Sequence, residues 1–163
     1  KTQFGSIASD EQFKKIKHYI NLAKNENGNI LLGGKAIQLQ GRCKNGWFIE
    51  STVIEGLDNR SRLNQEEIFG PVVTLQAFKS EKEAIEIAND TQYGLSATIW
   101  TNSHKKGDRV AKNIDAGIVW INCWMVRDLR TPFGGMKDSG LGREGGESVL
   151  RFFTDQKTIC ELK

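Results

Sequence analysis

Apolar residues recur along the chain with two periods, and the alternation between those periods sets the order of elements. Ser9 and Gln12 have capping-box spacing. In such a box the hydroxyl takes an orphan N–H of the first helical turn and the amide reaches back. Phe13, Ile16, Ile20 and Ala23 then share one helical face, and Asn27-Gly28-Asn29 ends the helix. Beyond it, 29–34 ("NILLGG") reads as a short strand, 41–46 ("GRCKNG") as a polar loop and 47–54 as a strand.

The middle of the chain is the most regular part. Residues 72–78 ("VVTLQAF") are β-rich. Ser80 and Glu83 repeat the capping-box spacing and open a helix with Ala84, Ile85 and Ala88 inward. Residues 96–101 ("SATIWT") predict a strand, a helix from about Ser103 carries Val110, Ala111 and Ile114 inward, and 117–122 ("GIVWIN") predicts another strand. The order β-α-β-α-β predicts an α/β fold, a parallel sheet with covering helices, because parallel strands need such crossovers. A long glycine-rich segment follows, 123–146 ("CWMVRDLRTPFGGMKDSGLGREGG"), then a helix over 143–153 and a final strand over 157–162.

Composition narrows the class. A chain of 163 residues with 38% hydrophobic and 26% charged residues has enough apolar mass for a core and reads as globular. No apolar run is long enough to span a membrane, and the first residues lack the apolar stretch of a signal peptide. The net charge of +3 is spread among interleaved acids and bases, so nucleic acid is not an expected partner. The three cysteines, Cys43, Cys123 and Cys160, are far apart, and only two histidines accompany them. That pattern predicts free thiols in a reducing, cytoplasmic setting and no metal site.

One motif invites a cofactor. "GLGREG" at 140–145 matches the G-x-G-x-x-G of dinucleotide-binding turns, and Glu161 falls at about the distance of the ribose acid. The fingerprint needs a strand running straight into the first glycine. Here the nearest upstream strand is expected to end at Asn122, and "FGGMKDS" is made of loop formers. The glycines are expected to serve backbone conformation, although a self-contained nucleotide-binding module remains a rival reading, as does a non-catalytic scaffold of the same fold.

Three stretches carry a resemblance: 66–71 ("EEIFGP"), 93–97 ("YGLSA") and 132–144 ("PFGGMKDSGLGRE"). In this order and spacing they resemble the C-terminal part of the NAD(P)-dependent aldehyde dehydrogenases. The resemblance covers nearly the whole chain and is weakest before Trp47. Ser51 departs from the proline that many members carry in the corresponding strand loop. The resemblance implies a catalytic-domain segment over 1–153 and an oligomerisation strand over 154–163, with a homodimer or homotetramer as the assembly. It also implies that the nucleophilic cysteine, the general base and the Rossmann domain lie in sequence before this stretch. The chain then reads as the C-terminal portion of a larger enzyme with no catalytic residue of its own, inactive in isolation.

In that family a thiolate attacks the aldehyde, hydride leaves to the nicotinamide and water releases the acid. The resemblance implies NAD as cofactor, with NADP left open. It assigns Glu67 to the ribose hydroxyls, since a carboxylate accepts two hydrogen bonds, and Phe69 to the nicotinamide ring. Asn122, Trp124, Arg127 and Phe133 fall on the expected wall of the substrate pocket. Arg127 and Arg130 stand where many members have apolar residues, and guanidinium matches carboxylate. The pattern W-x-x-R-[DE]-L-x-x-PFGG is similar to that of the muconic semialdehyde dehydrogenases, which implies a small carboxylate-bearing aldehyde as substrate. Arg127 is expected to take that carboxylate, and Arg130 to be solvated.

Overall fold

The computed structural model describes residues 4–162. The chain divides into two compact units, Lys1–Ala77 and Phe78–Lys163. The first holds α1 (Asp10–Asn25), β1 (Asn29–Leu32), β2 (Ala36–Ile37), β3 (Phe48–Ile49), β4 (Thr52–Glu55), the short α2 (Arg62–Gln65) and β5 (Val72–Leu75). The second holds α3 (Glu81–Asn89), β6 (Tyr93–Gly94), β7 (Ser96–Ile99), α4 (His104–Ala111), β8 (Ile118–Ile121), β9 (Met136–Lys137) and α5 (Gly146–Phe153).

In the first unit β4 is the central strand, antiparallel to β1 and parallel to β5. Its alternation puts Thr52 and Ile54 inside, where α1 lays Ile16, Tyr19, Ile20 and Ala23 against them. Ile49, Leu57, Leu63 and Ile68 complete this core. The helix stripe read from the sequence is therefore the buried stripe, with Tyr19 added and Phe13 packed at its edge. The expected strand over 47–54 is broken in two. Thr52 Oγ1 accepts from the Gly34 amide at 2.9 Å and donates to the Glu50 carbonyl at 2.9 Å, and residues 50–51 separate β3, which pairs with β2, from β4, which pairs with β1 and β5.

In the second unit β7 and β8 run parallel, linked through α4. The expected element order β-α-β-α-β is present, and the fold is α/β. Its pairing is divided, however: β5 pairs with β4 and β7 pairs with β8, in separate sheets. Ala88 is exposed, not buried as the helix pattern suggests, and it lines a cavity of ≈ 470 Å³ with Ala84, Val110 and Ile114. Arg109 bridges the two helices, its Nε 2.6 Å from Glu81 Oε1.

Both capping serines act as expected: Ser9 Oγ accepts from the Gln12 amide at 3.2 Å and Ser80 Oγ from the Glu83 amide at 3.1 Å. The reciprocal arms differ. Glu83 reaches back to the Lys79 amide, and Gln12 turns to another partner altogether. Two further expectations are corrected. The last helix starts at Gly146, not at Arg143, because Glu144 forms a two-bond antiparallel bridge with Phe133. Residues 157–162 form no strand, because among the described residues no neighbouring strand completes their ladder; they are exposed. No helix among the described residues is long and apolar enough to cross a membrane.

Candidate functional site

In the first unit the motif "EEIFGP" forms the loop between α2 and β5. Its two adjacent carboxylates have different fates. Glu66 accepts two bonds from Arg62, Nε at 2.7 Å and Nη2 at 2.9 Å, and a third from the Tyr19 hydroxyl. Those donors, Arg62 first, pull its carboxyl down to about 2 from the ordinary 4.5. The same contact pushes the Tyr19 phenol upward. Glu67 is exposed, and its carboxylate meets no hydrogen-bonding or ionic partner among the described residues.

The backbone of this loop is gripped. Lys15 Nζ donates to the Glu67 carbonyl at 2.8 Å, and Gln12 Nε2 donates to the carbonyls of Ile68 and Phe69, each at 2.8 Å. A side chain at Gly70 would stand 2.5 Å from Ile16 Cδ1. Ile68 is buried, while the ring of Phe69 is 74% exposed on a backbone with φ of 55°. Positive φ is sterically costly for an aromatic residue and persists where neighbours over-determine it. The loop thus presents one free carboxylate and one free ring, two residues apart. That pair of groups fits a diol beside a flat heterocycle: two acceptor oxygens for paired hydroxyls, and an apolar face for a ring.

In the second unit a cavity of ≈ 310 Å³ is lined by Leu95, Trp120, Trp124, Met125, Arg127 and Phe133, with Ser96. Three of the four residues expected on the substrate wall meet here. The Arg127 guanidinium lies over the Phe133 ring, 4.1 Å from its centre, and its Nη2 donates to Glu144 Oε1 at 2.9 Å. Cation–π stacking holds the plane of the guanidinium and the carboxylate holds one nitrogen. Nε and Nη1 of Arg127 have no partner among the described residues, so donors remain for a second anion.

The fourth residue, Asn122, ends β8 as expected but is not on this wall. Its Oδ1 accepts from the Thr101 amide at 2.8 Å and its Nδ2 donates to the Thr101 carbonyl at 2.7 Å. Its amide pairs the ends of β7 and β8 like one more rung. Arg130 is likewise diverted. Asp128 accepts from its Nε at 2.9 Å, and the Arg130 side chain is 89% exposed against 37% for Arg127. The mutual contact holds the Asp128 carboxyl below its ordinary range.

The segment "GLGREG" is a structural loop. The strand before it, β9, pairs antiparallel with β6 and is followed by a turn, not by a helix. Gly142 and Gly145 have φ of 70° and 77°, which L side chains rarely adopt, and a Cβ on Gly142 would meet the Phe152 ring at 2.3 Å. Arg143 folds back onto the carbonyls of Gly135 and Gly142 at 2.8 and 2.7 Å. Its preceding motif is equally occupied: Lys137 Nζ donates to the Asn89 carbonyl at 2.7 Å, and Ser139 Oγ accepts from the Gly94 amide at 2.9 Å. Cys43 and Cys123 are half-buried and Cys160 is exposed, all as free thiols, and no group of three potential metal ligands occurs among the described residues.

Two parts of these sites escape sequence reasoning. The grip of Gln12 and Lys15 on the loop gives no signal beyond their shared helical face with Ile16 and Tyr19. The pairing of Glu144 with Arg127 crosses a glycine-rich segment that carries no periodicity.

Comparison with known proteins bears on the family. The model of the aldehyde dehydrogenase family matches residues 1–159. Among curated proteins the chain is similar to 2-aminomuconic semialdehyde dehydrogenase of Danio rerio, 46% identical over 95% of this chain and 32% of that protein. It is also similar to 2-hydroxymuconic semialdehyde dehydrogenase of Pseudomonas putida, 43% identical over 96% of this chain and 32% of that protein. The chain thus spans about a third of the length of the curated relatives it matches. Among solved structures, indole-3-acetaldehyde dehydrogenase of P. syringae in complex with NAD+ and IAA superposes with a TM-score of 0.89 at 36% identity, covering 96% of this chain and 31% of that one. Betaine aldehyde dehydrogenase of Staphylococcus aureus in complex with NAD+ gives 0.87 at 41% identity, covering 93% and 30%.

Proposed function

The chain belongs to the aldehyde dehydrogenase family, and from that premise we propose that it forms part of an NAD-dependent enzyme oxidising a carboxylate-bearing semialdehyde of the muconic type to the acid. The observation that carries the substrate class is the cavity holding Trp124, Arg127 and Phe133, in which one cation with spare donors faces an otherwise apolar wall. A semialdehyde carries its carboxylate away from the reacting carbon. A fixed guanidinium therefore orients the chain of the substrate without entering the chemistry. Glu144 shares Arg127 and keeps it from collapsing elsewhere.

NAD, when bound, supplies the hydride acceptor. Glu67 accepts the ribose hydroxyls, and Phe69 offers its exposed ring to the nicotinamide. NAD is favoured because the similar solved structures hold NAD+. This reading gives the chain no nucleophile and no general base; both belong to other parts of the enzyme. The free thiols suit a reducing compartment, and the cytoplasm is the location assigned here. Residues 154–163 are assigned to assembly of a homo-oligomer, since in an extended segment Thr158, Cys160 and Leu162 would alternate with Ile159 and Glu161, and all five are exposed.

The test is kcat/KM for 2-hydroxymuconate semialdehyde and for a neutral aldehyde of similar size, in Arg127→Ala and Arg130→Ala forms of the full-length enzyme carrying this segment. A hydrogen bond to a charged group is worth about 1.5–3 kcal/mol, so Arg127→Ala should lower kcat/KM on the anionic substrate about ten- to a hundredfold. The neutral aldehyde should lose little, and Arg130→Ala should do less. An equal fall on both substrates in Arg127→Ala makes the residue structural and removes the substrate assignment.

A further inference from the structure

Five successive residues of the loop carrying Glu67 and Phe69 are held by one face of one helix. Gln12, Lys15, Ile16 and Tyr19 stand at i, i+3, i+4 and i+7 of α1, the spacing that stacks side chains on one side. Tyr19 bonds the Glu66 carboxylate, Lys15 the Glu67 carbonyl at 2.8 Å, and Gln12 the Ile68 and Phe69 carbonyls at 2.8 Å each. Ile16 fills the space beside Gly70 that a side chain there would need. Among these contacts only that of Gln12 fixes two carbonyls at once, and they flank the residue whose φ is 55°. A primary amide is suited to this because it carries two N–H donors on one nitrogen.

We propose that Gln12 is a positioning residue of the nicotinamide-ribose subsite: by tying the Ile68 and Phe69 carbonyls to α1 it sets the direction in which the Glu67 carboxylate and the Phe69 ring leave the loop. This rests on the assignment of Glu67 and Phe69 to the cofactor. The helix acts as a rigid template, and the loop's strained backbone is its imprint. Without the amide the loop keeps Ile68 in the core but loses the constraint on Phe69, and Glu67 samples directions that miss the ribose.

The experiment compares the parent, Gln12→Met, Glu67→Ala and the double variant of the full-length enzyme carrying this segment. Methionine keeps the length and removes both donors. Without cofactor, amide hydrogen exchange at Phe69, Gly70 and Val72 should accelerate in Gln12→Met while the thermal midpoint stays near the parent's. With NAD, single-turnover hydride transfer should slow roughly tenfold while the NAD dissociation constant shifts less, as expected when orientation and not contact is lost. In the Glu67→Ala background the same substitution should cost almost nothing further. Unaltered loop exchange, or an equal cost in both backgrounds, overturns the proposal. A slowed Glu67→Ala with an unaltered Gln12→Met removes the positioning role alone; an unaltered Glu67→Ala removes the assignment of Glu67 and the proposal with it.

Discussion

Glu66 and Glu67 are adjacent and chemically alike, yet one is fixed and the other is free. Three hydrogen bonds hold Glu66 ionised, with its pKa lowered to about 2 from 4.5. A depressed folded-state pKa means that its stabilisation is full above about 4.5 and fades as the pH falls toward 2. Melting curves of the parent and Glu66→Gln should therefore run parallel above that window, with the parent the more stable, and converge within it. The Glu66 side chain is 37% exposed, so screening keeps the gap modest and added salt narrows it. Curves that stay parallel down to pH 2 would sink this account of Glu66. For Glu67 the expectation concerns rate. Glu67→Gln still touches the ribose but accepts from fewer directions, so hydride transfer should slow more than NAD binding weakens. The check is single-turnover NADH formation with a deuterated aldehyde; an unchanged rate and isotope effect count against the ribose role.

At the scale of elements, the glycine-rich segment is seated by close backbone contact. A Cβ on Gly117, at the entry to β8, would stand 1.6 Å from the Gly134 carbonyl oxygen. Backbone cannot give way as a side chain tip does, so the segment must lift off the strand. Gly117→Ala should cost about 3 kcal/mol or more, at the upper end of overpacking. Gly5→Ala, with nothing within 4 Å, is the control and should be nearly neutral. Denaturant midpoints decide it, and equal midpoints would refute the contact. Because Phe133 lies in the same segment, directly before Gly134, Gly117→Ala should also disturb the wall on which Arg127 stacks.

At the scale of the whole molecule, the proposed reading gives the chain a carboxylate for the ribose, Glu67, and an arginine for the substrate carboxylate, Arg127, but no nucleophile. The purified 163-residue chain should form no NADH from any aldehyde above a heat-killed control; NADH formation above that control would contradict the assignment of chemistry to other parts. The exposed tail gives a second expectation. Deleting 154–163 from the full-length enzyme should lower its mass by light scattering to that of a smaller assembly, because an exposed segment with no partner strand of its own can become a strand by pairing with a neighbour's sheet edge. An unchanged assembly would leave the tail without that role.

Local patterns in the sequence determined the elements and the class. Apolar periods located α1, α3, α4, β7 and β8, because a buried stripe has to repeat with the geometry of its backbone. Serines set the helix starts at Ser9, Ser80 and Ser103, because an orphan amide needs an acceptor within one turn. The motifs around Glu67 and Phe133 identified the family, and the unsuitability of "GLGREG" as a cofactor turn followed from the loop formers before it. Tertiary structure alone decided how neighbours of the same type divide their labour. Glu66 is bound and Glu67 free because Tyr19 and Arg62 meet at only one of them; Arg127 lines the cavity and Arg130 does not because Asp128 reaches only the latter. Gln12 left its capping role for carbonyls far along the chain, and Asn122 became a rung between strand ends. Each of these depends on a partner distant in sequence, and no local pattern encodes the distance between two side chains that only folding brings together.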